Sequence, residues 1–173
     1  MKGTIVRCLK SLVEAKGGEE TWDRVVTESG VELPKIINLS MDIPDGDTVR
    51  LLEATCKVLG LTLSQAADAF GKYWMTEYAP AIYKSHFDRY RDARSFILGV
   101  DDIHRLTTAT VPNAHPPRFE YHEVDDRTLD IVYTSSRGMI DMLMGLARGV
   151  GAYFNEGLTV SKAGSGRVRV RFN

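Results

Sequence analysis

The stretch Thr128–Arg137 reads TLDIVYTSSR and alternates apolar or aromatic side chains with mostly polar ones. Its odd positions from Leu129 to Tyr133 are apolar or aromatic, which predicts a half-buried strand with its odd face inward. Ser135 and Arg137 continue that face, so a phenol, a hydroxyl and a guanidinium lie at alternate positions. All three groups donate hydrogen bonds, and the planar guanidinium matches a carboxylate or a phosphate.

Arg137 has two interpretations at this level. A buried arginine without an acceptor is costly, so the first interpretation requires an anionic group opposite its guanidinium. In the second, the strand ends at Ser135 and Arg137 is a solvated turn residue. The stretch alone leaves both interpretations open.

The size and composition of the chain limit the classes of function. Its 173 residues fit one domain, residues 1–173, and are enough to bury a sizeable core. A hydrophobic content of 43% and a charged content of 26% are ordinary for a soluble globular protein. The net charge of −1 argues against a general binder of nucleic acid or of membrane surfaces.

The sequence also bears on the compartment. No apolar run is long enough for membrane insertion, and the first residues lack the layout of a signal peptide. Cys8 and Cys56 have no spacing typical of zinc or of a redox pair. We therefore expect a cytoplasmic protein with reduced thiols.

Apolar positions repeat with helical spacing through most of the first half of the chain. Glycines mark several helix ends, and Thr62 with Gln65 has the form of a capping box. We expect Ala79-Pro80 to break the fourth helix, with room for a short helix near 81–86, and we expect a loop over 31–43. The predicted helices are Lys2–Ala15, Glu19–Ser29, Asp45–Leu59, Leu63 to about Tyr78, Tyr90 to about Thr108, and Gly138–Phe154.

From Arg118 the apolar period changes to two, which predicts strands. A turn at Asp125-Asp126 gives one hairpin with the strand 127–135. Strands Leu158–Ser161 and Arg167–Phe172 give a second hairpin, and the last strand turns three arginines outward as a solvated face. The fold class is therefore α+β, with a small antiparallel sheet covered by helices.

The usual catalytic motifs do not occur, because the sequence has no glycine-rich nucleotide loop, no H-E-x-x-H and no G-x-S-x-G. His104 follows Val100 by four residues and so lies on the flank of an apolar helical stripe. A neutral imidazole ligates iron, and the donors of 133–137 match carboxylates. A flat apolar cofactor with acidic groups would use both, and Gly145 and Gly149 would let a helix approach its ring plane. Each feature has a simpler explanation too, since a lone helical histidine is more often a surface or hydrogen-bonded core residue.

These residues resemble a known family, the H-NOX family of haem–nitric oxide/oxygen-binding domains. The resemblance rests on the Y-x-S-x-R signature at Tyr133–Arg137, on His104 upstream, and on Pro116-Pro117-Arg118 between them. The start MKGTIV and the run AFGKYW from Ala69 are also similar to bacterial members, so the resemblance covers essentially the whole chain. It implies an H-NOX fold, in which a helical N-terminal lobe packs on a C-terminal lobe with a small antiparallel sheet, and haem lies between them.

The resemblance also implies roles for single residues. His104 would be the proximal ligand of the iron in haem b (iron protoporphyrin IX), and Pro117 would press on the haem and help distort it. The haem propionates would be bound by Tyr133, Ser135 and Arg137. The other residues implied to contact the haem are Ile5, Trp74, Met142 and Leu146.

The gas ligand follows from the distal side of the haem. Oxygen-binding members of the family place a tyrosine on the helix after the signature, because a hydrogen-bond donor stabilises the negative charge on bound O₂. The matching position here is Met142, which offers no useful donor, and Leu146 one turn on is apolar. Trp74 and Tyr78 are the remaining candidate donors. The resemblance thus implies a five-coordinate ferrous haem that binds NO and CO without a stable O₂ complex.

The implied function is a gas sensor that is not itself an enzyme. NO bound opposite His104 would weaken the iron–histidine bond, after which the Tyr90–Thr108 helix and the lobes would shift. The implied partner is a histidine kinase, a cyclic-di-GMP enzyme, a chemotaxis module or a fused cyclase. A haem-free alternative is a module that binds an acidic small molecule or peptide through Arg137. An enzyme with His104 as general base ranks last, because no nucleophile or second acid can be assigned beside it.

Overall fold

The computed structural model describes every residue from Met1 to Asn173. The helices are α1 Gly3–Gly17, α2 Glu19–Ser29, α3 Asp45–Leu59, α4 Leu63–Tyr73, α5 Ala79–Phe87, α6 Ala93–Thr108 and α7 Ile140–Phe154. A π-helical turn, Trp74–Tyr78, joins α4 to α5. The strands are β1 Arg118–Asp125, β2 Thr128–Thr134, β3 Leu158–Gly164 and β4 Arg167–Phe172. No helix has both the length and the apolar character needed to cross a bilayer.

Local capping explains why several helix ends are where the sequence predicts them. Gly30 and Gly60 follow α2 and α3 with φ of +61° and +65°, a left-handed conformation that glycine adopts without strain. The Thr62 hydroxyl accepts from the Gln65 N–H at 3.2 Å, and the Gln65 side chain accepts from the Thr62 N–H at 2.9 Å. The predicted capping box is therefore confirmed, and α2 and α3 have the predicted bounds.

The predicted break at Ala79-Pro80 is wrong, because the chain stays helical through Pro80. The helical path is interrupted only at Tyr83, where φ of −117° and ψ of 30° kink α5 before it ends at Phe87. Proline breaks a helix since it lacks an N–H and its ring clashes with the carbonyl four residues earlier. Here the Ala79 N–H donates to the Trp74 carbonyl five residues back, which makes the preceding turn wider. Pro80 then lies in the first turn of α5, where a missing N–H is tolerated.

Helices α6 and α7 begin two or three residues later in the sequence than predicted. Helix α6 begins at Ala93 and not at Tyr90, because Asp92 caps it by accepting from the Ser95 N–H at 2.7 Å. Helix α7 begins at Ile140, since Gly138 has a φ of +61° that does not fit a helix.

The two predicted hairpins form a single antiparallel sheet with the strand order β1-β2-β4-β3. Strands β2 and β4 are the central pair, with Leu129 opposite Val170 and Ile131 opposite Val168. All four of these side chains are buried, which confirms that the odd positions of β2 face the core.

The other face of β2 departs from simple alternation at Asp130, which is only 3% exposed. Arg169 lies opposite it on β4 and holds both carboxylate oxygens, Nε to Oδ1 at 2.7 Å and Nη2 to Oδ2 at 2.9 Å. Asp130 is therefore covered by the arginines of the outward face, which are themselves exposed as predicted.

Two hydrophobic cores define the two lobes. The first joins α1 to α4 around residues such as Val6, Val13 and Leu51. The second lies between the sheet, α6 and α7, around residues such as Phe96 and Leu129. The observed α+β architecture is thus the predicted one, a helical N-terminal lobe and a C-terminal lobe with a small sheet.

Helices α4 and α7 connect the lobes by a close contact between glycines. A Cβ added to Gly71 would lie 2.1 Å from the Gly145 carbonyl carbon, and one added to Gly145 would lie 2.1 Å from the Ala67 oxygen. Gly149 meets the Gly71 oxygen in the same way. The predicted close approach of a neighbour is confirmed, but the neighbour is the α4 backbone, so the prediction that these glycines serve a cofactor ring is wrong.

Candidate cofactor-binding site

The Y-x-S-x-R signature begins in β2 and ends in the following turn. The Tyr133 N–H donates to the Gly166 carbonyl at 2.7 Å, and β2 ends at Thr134. Tyr133, Ser135 and Arg137 are nevertheless half-buried, whereas the residues between them are exposed. The Ser135 hydroxyl accepts from the Arg137 N–H at 3.2 Å, which fixes this turn locally. The three donors therefore keep the predicted inward direction beyond the end of the strand.

Arg137 combines the two interpretations left open by the sequence. It is a turn residue, yet only 21% of its side chain is exposed, and it has an anionic partner. Its Nε–H donates to Asp45 Oδ2 at 2.9 Å, and Nη1 donates to the His115 carbonyl at 2.8 Å. Hydrogen bonds from the Met1 amino group, chiefly, and from Arg137 hold the pKa of Asp45 below its usual value. The anion that faces Arg137 within the chain is thus a carboxylate from α3.

His104 lies on α6, half-buried, and its Nδ1 is buried without a hydrogen-bond partner. Burial lowers the pKa of His104 below its usual value, and the Pro117 carbonyl and the Asp101 carboxylate offset this in part. The imidazole is therefore neutral near pH 7, which is the form that ligates a metal.

A row of rings connects His104 to the signature. The His104 and Phe119 ring centres are 5.6 Å apart, and those of Phe119 and Tyr133 are 6.0 Å apart. Phe119 and Tyr133 are paired residues of β1 and β2, so the sheet register fixes their distance. The structure thus brings the predicted metal ligand and the predicted carboxylate site to one end of the sheet.

Asp101 attaches α6 to the start of β1, one turn before His104. It accepts from Arg118 Nε at 2.9 Å and from the Phe119 N–H at 3.1 Å. Pro117 directly precedes these two residues, so Asp101 keeps the Pro117 segment beside the His104 helix.

The opposite wall consists of apolar residues that pack on the first core. Four predicted haem contacts belong to it and are partly buried: Ile5 on α1, Trp74 in the π turn, and Met142 and Leu146 on α7. Trp74 also packs on the second core and so lies where the two lobes meet. The Tyr78 ring lies tilted against Trp74 with 5.5 Å between ring centres, and its buried hydroxyl has no hydrogen-bond partner.

These residues fit a flat apolar cofactor with carboxylates. One lobe offers an imidazole whose Nδ1 has no hydrogen-bond partner, and the other offers apolar side chains that are only partly buried. Three donors lie at the rim. No group of three His, Cys, Asp or Glu side chains is placed to hold a metal ion. An iron bound by His104 would therefore take its other ligands from the cofactor itself.

Three residues with a structural part in this site are not among the sequence predictions for it. The sequence pattern does indicate Phe119, because it occupies an inward-facing position of the strand predicted from Arg118. The pattern does not indicate Asp101 and Asp45, because acidic residues on helices are common and their partners are 17 and 92 residues away in the chain.

Comparison with known proteins identifies relatives of the whole chain. A family model described as Haem-NO-binding matches residues 2–162. Two soluble guanylate cyclases of Caenorhabditis elegans, gcy-32 and gcy-35, are 28% and 24% identical over 155 residues. These residues make up 87% of this chain but only 22% of each cyclase, so the chain spans about a fifth of the length of these relatives.

The structure is also similar to solved structures. An oxygen-binding H-NOX domain related to soluble guanylate cyclases, in its oxygen complex, has a TM-score of 0.83 and 24% identity, covering 100% of this chain and 95% of that chain. An H-NOX protein from S. oneidensis in the Fe(II)NO state has a TM-score of 0.87 and 16% identity, covering 100% and 98%. This likeness establishes the fold. Because one neighbour holds oxygen and the other NO, the overall shape does not decide between the two ligands.

Proposed function

Because the chain belongs to the Haem-NO-binding (H-NOX) family, we propose that residues 1–173 are one haem b domain that senses NO and also binds CO. The family and the α+β fold are those predicted from the sequence, and both are confirmed. His104 carries the proposal, as a half-buried neutral imidazole whose Nδ1 atom is buried without a hydrogen-bond partner. When bound, haem supplies an iron with an open coordination position for a diatomic gas.

In the proposed haem domain, each side chain of the site has one role. His104 holds the iron, and the donors of Tyr133, Ser135 and Arg137 bind the two carboxylates of the haem. The half-buried positions of these donors at the end of β2 support that assignment. The residues proposed to pack on the ring are Ile5, Pro117, Trp74, Met142 and Leu146.

Selectivity for NO over O₂ rests on the wall that carries Met142 and Leu146. Neither side chain donates a useful hydrogen bond, and O₂ bound to ferrous haem needs a donor more than NO does. The buried hydroxyl of Tyr78 is the strongest competing donor, because its only polar side-chain neighbour is the Thr4 hydroxyl and the two are not in hydrogen-bonding geometry. We propose that the Tyr78 hydroxyl makes no contact with the bound gas.

Signalling is proposed to begin with a displacement of His104 and to pass along α6. The N-terminal half of α6 is anchored, since Ala93, Phe96 and Ile97 are buried and the Ala93 N–H donates to Glu156 at 3.2 Å. The half that carries His104 is less buried and is attached to β1 through Asp101. A moving His104 would therefore shift β1 and the lobe junction more than the start of α6.

The proposed output is binding to a signalling protein and not catalysis by residues 1–173. A histidine kinase, a cyclic-di-GMP enzyme or a chemotaxis module is the class of partner we propose. The haem-free alternative, in which Arg137 captures an acidic ligand, is less well supported because it gives no role to His104, whose Nδ1 is buried without a hydrogen-bond partner.

The first prediction is that purified protein reconstituted with haem shows a Soret band with the ferrous spectrum of a histidine-ligated five-coordinate haem. His104→Gly is expected to lose that spectrum and to regain it when imidazole is added, because the imidazole replaces the missing ligand. His122→Gly is the matched control, since His122 is exposed on the sheet. Absorption spectroscopy measures both, and a protein that takes up no haem would contradict the proposal.

A further inference from the structure

We propose that Asp45 is a positioning residue for Arg137, which it orients so that one edge of the guanidinium remains free for a cofactor carboxylate. The inference rests on the proposed function, because the carboxylate in question belongs to the haem. It adds a residue of α3, in the other lobe, to the carboxylate-binding signature.

The hydrogen bonds of Arg137 define which edge is free. A guanidinium has five N–H groups, one on Nε and two on each terminal nitrogen. Asp45 occupies the Nε–H, and the His115 carbonyl occupies one of the two on Nη1. The second N–H group of Nη1 and both N–H groups of Nη2 remain available to a ligand. A carboxylate can accept from two N–H groups of a guanidinium side by side.

The backbone around Arg137 does not fix its side chain alone. Arg137 lies in a turn after β2, and a long arginine side chain loses much rotamer freedom when it is held in one orientation. Asp45 and His115 supply the two contacts that select that orientation. They come from different segments, the first residue of α3 and the connection between α6 and β1.

This arrangement also connects the carboxylate site to both lobes. Asp45 belongs to the N-terminal lobe, whereas His115 lies two residues before Pro117, on the segment that follows the His104 helix. A carboxylate held by Arg137 is thus linked through one side chain to α3 and to the connection after α6. Asp45 would contribute to cofactor retention without touching the cofactor.

The test compares haem retention among Asp45 variants. Asp45→Ala is expected to speed haem transfer to excess apomyoglobin about tenfold, as expected for losing one hydrogen bond to a charged group. Asp45→Asn is expected to show a smaller increase, because its amide oxygen still accepts. Asp47→Ala is the matched control in the same helical turn, since Asp47 pairs locally with Arg50 at 2.8 Å.

A double-mutant cycle separates positioning from a general structural effect. If Asp45 acts through Arg137, its substitution has no further effect on the transfer rate in an Arg137→Ala background. An equal effect in both backgrounds, or an equal effect of Asp47→Ala, would overturn the inference.

NMR of the haem-free protein distinguishes failure of the positioning role of Asp45 from failure of the proposed haem function. In nitrogen-15 NMR spectra, the Arg137 Nε–H is expected to be a distinct, slowly exchanging signal that Asp45→Ala removes and Asp47→Ala leaves. A protein that shows this signal but takes up no haem contradicts the proposed function and, with it, the cofactor role of Asp45. Normal haem uptake without the protected signal overturns the Asp45 inference alone.

Discussion

His104 owes its chemical character to its surroundings on α6. Its imidazole lies beside Phe119 and is largely shielded from water, which disfavours the charged form and lowers its pKa. A charged imidazolium has no lone pair for a metal, whereas the neutral ring keeps one available. The same burial leaves Nδ1 without a hydrogen-bond partner, a cost that a bound cofactor or water would reduce. The residue is thus suited to ligation before any cofactor is present.

The choice between O₂ and NO is expected to depend on two single residues, Met142 and Tyr78. Reduced, haem-loaded protein in air is expected to show no stable O₂ spectrum, because Met142 and Leu146 offer no donor. Met142→Tyr is expected to show a stable O₂ spectrum, because its phenol supplies a hydrogen-bond donor at that position. Absorption spectra of the wild type, Met142→Tyr and Tyr78→Phe under air measure the difference.

A stable O₂ spectrum of the wild type would contradict the proposed selectivity. Its loss in Tyr78→Phe, with Trp74→Phe unchanged, would then identify the buried Tyr78 hydroxyl as the donor.

At the scale of elements, the contact between α4 and α7 sets how closely the lobes approach. Gly71 and Gly145 face each other with no room for a side chain, so the two backbones touch. Glycine costs about 1 kcal/mol against alanine inside a helix, and the close packing offsets that cost. The π turn directly after α4 then carries Trp74 and Tyr78 to the junction of the two cores.

Gly145→Ala is expected to lower the free energy of unfolding by about 2–3 kcal/mol, because the new methyl group meets the Ala67 carbonyl and backbone atoms cannot yield cheaply. Gly46→Ala is the matched control, since Gly46 lies in α3 with open space around it and alanine is the better helix former. Denaturant unfolding of the haem-free proteins measures both changes. Equal stability of the two variants would show that the helices can move apart without cost.

At the scale of the whole molecule, the lobes are also joined by polar contacts at one edge. Asp42 accepts from Lys2 at 2.5 Å and from Asn113 at 3.2 Å, and Asp45 accepts from Arg137. Asn113 belongs to the connection between α6 and β1, so both carboxylates join the N-terminal lobe to segments of the other lobe. These contacts depend on ionised carboxylates, whereas the α4–α7 contact does not.

Stability is expected to fall in acid for this reason. Hydrogen bonds to their partners hold the pKa values of Asp42, Asp45 and Asp130 below the ordinary value of 3.8, with Lys2, Met1 and Arg169 as the main partners. Near that pH the unfolded chain binds more protons than the native protein. The stabilisation is therefore present at neutral pH and is lost as the pH falls from about 4 through the lowered native pKa values.

The free energy of unfolding of the haem-free protein, measured between neutral pH and about pH 3, tests this dependence. Asp130→Asn is expected to lower stability at neutral pH and to flatten its decline in acid, because the ion pair with Arg169 is lost. Asp126→Asn, in the exposed turn between β1 and β2, is the control. A pH-independent stability of the wild type would refute the contribution of these carboxylates.

Local rules predicted much of this fold because the information they use is local. The bounds of α2, α3 and β4 follow from apolar periodicity and from the glycines that end the helices. Strand alternation likewise predicts that Tyr133, Ser135 and Arg137 face inward. Their assignment to a haem site together with His104 comes from the resemblance to the H-NOX family. Pro80 is a case where a local rule fails, because the π turn before it changes which carbonyl the next N–H meets.

By itself, the sequence determined the α+β class, which residues of β2 and β4 face the core, and the family to which the chain belongs. Only the tertiary structure decided that Asp45 is the partner of Arg137, that Gly145 faces α4, and that Asp130 is covered by Arg169. Apolar period and capping act within a few residues, so they can be read along the chain. Ion pairs and backbone contacts between distant segments depend on which faces meet when the two lobes pack, and no spacing in the sequence records that.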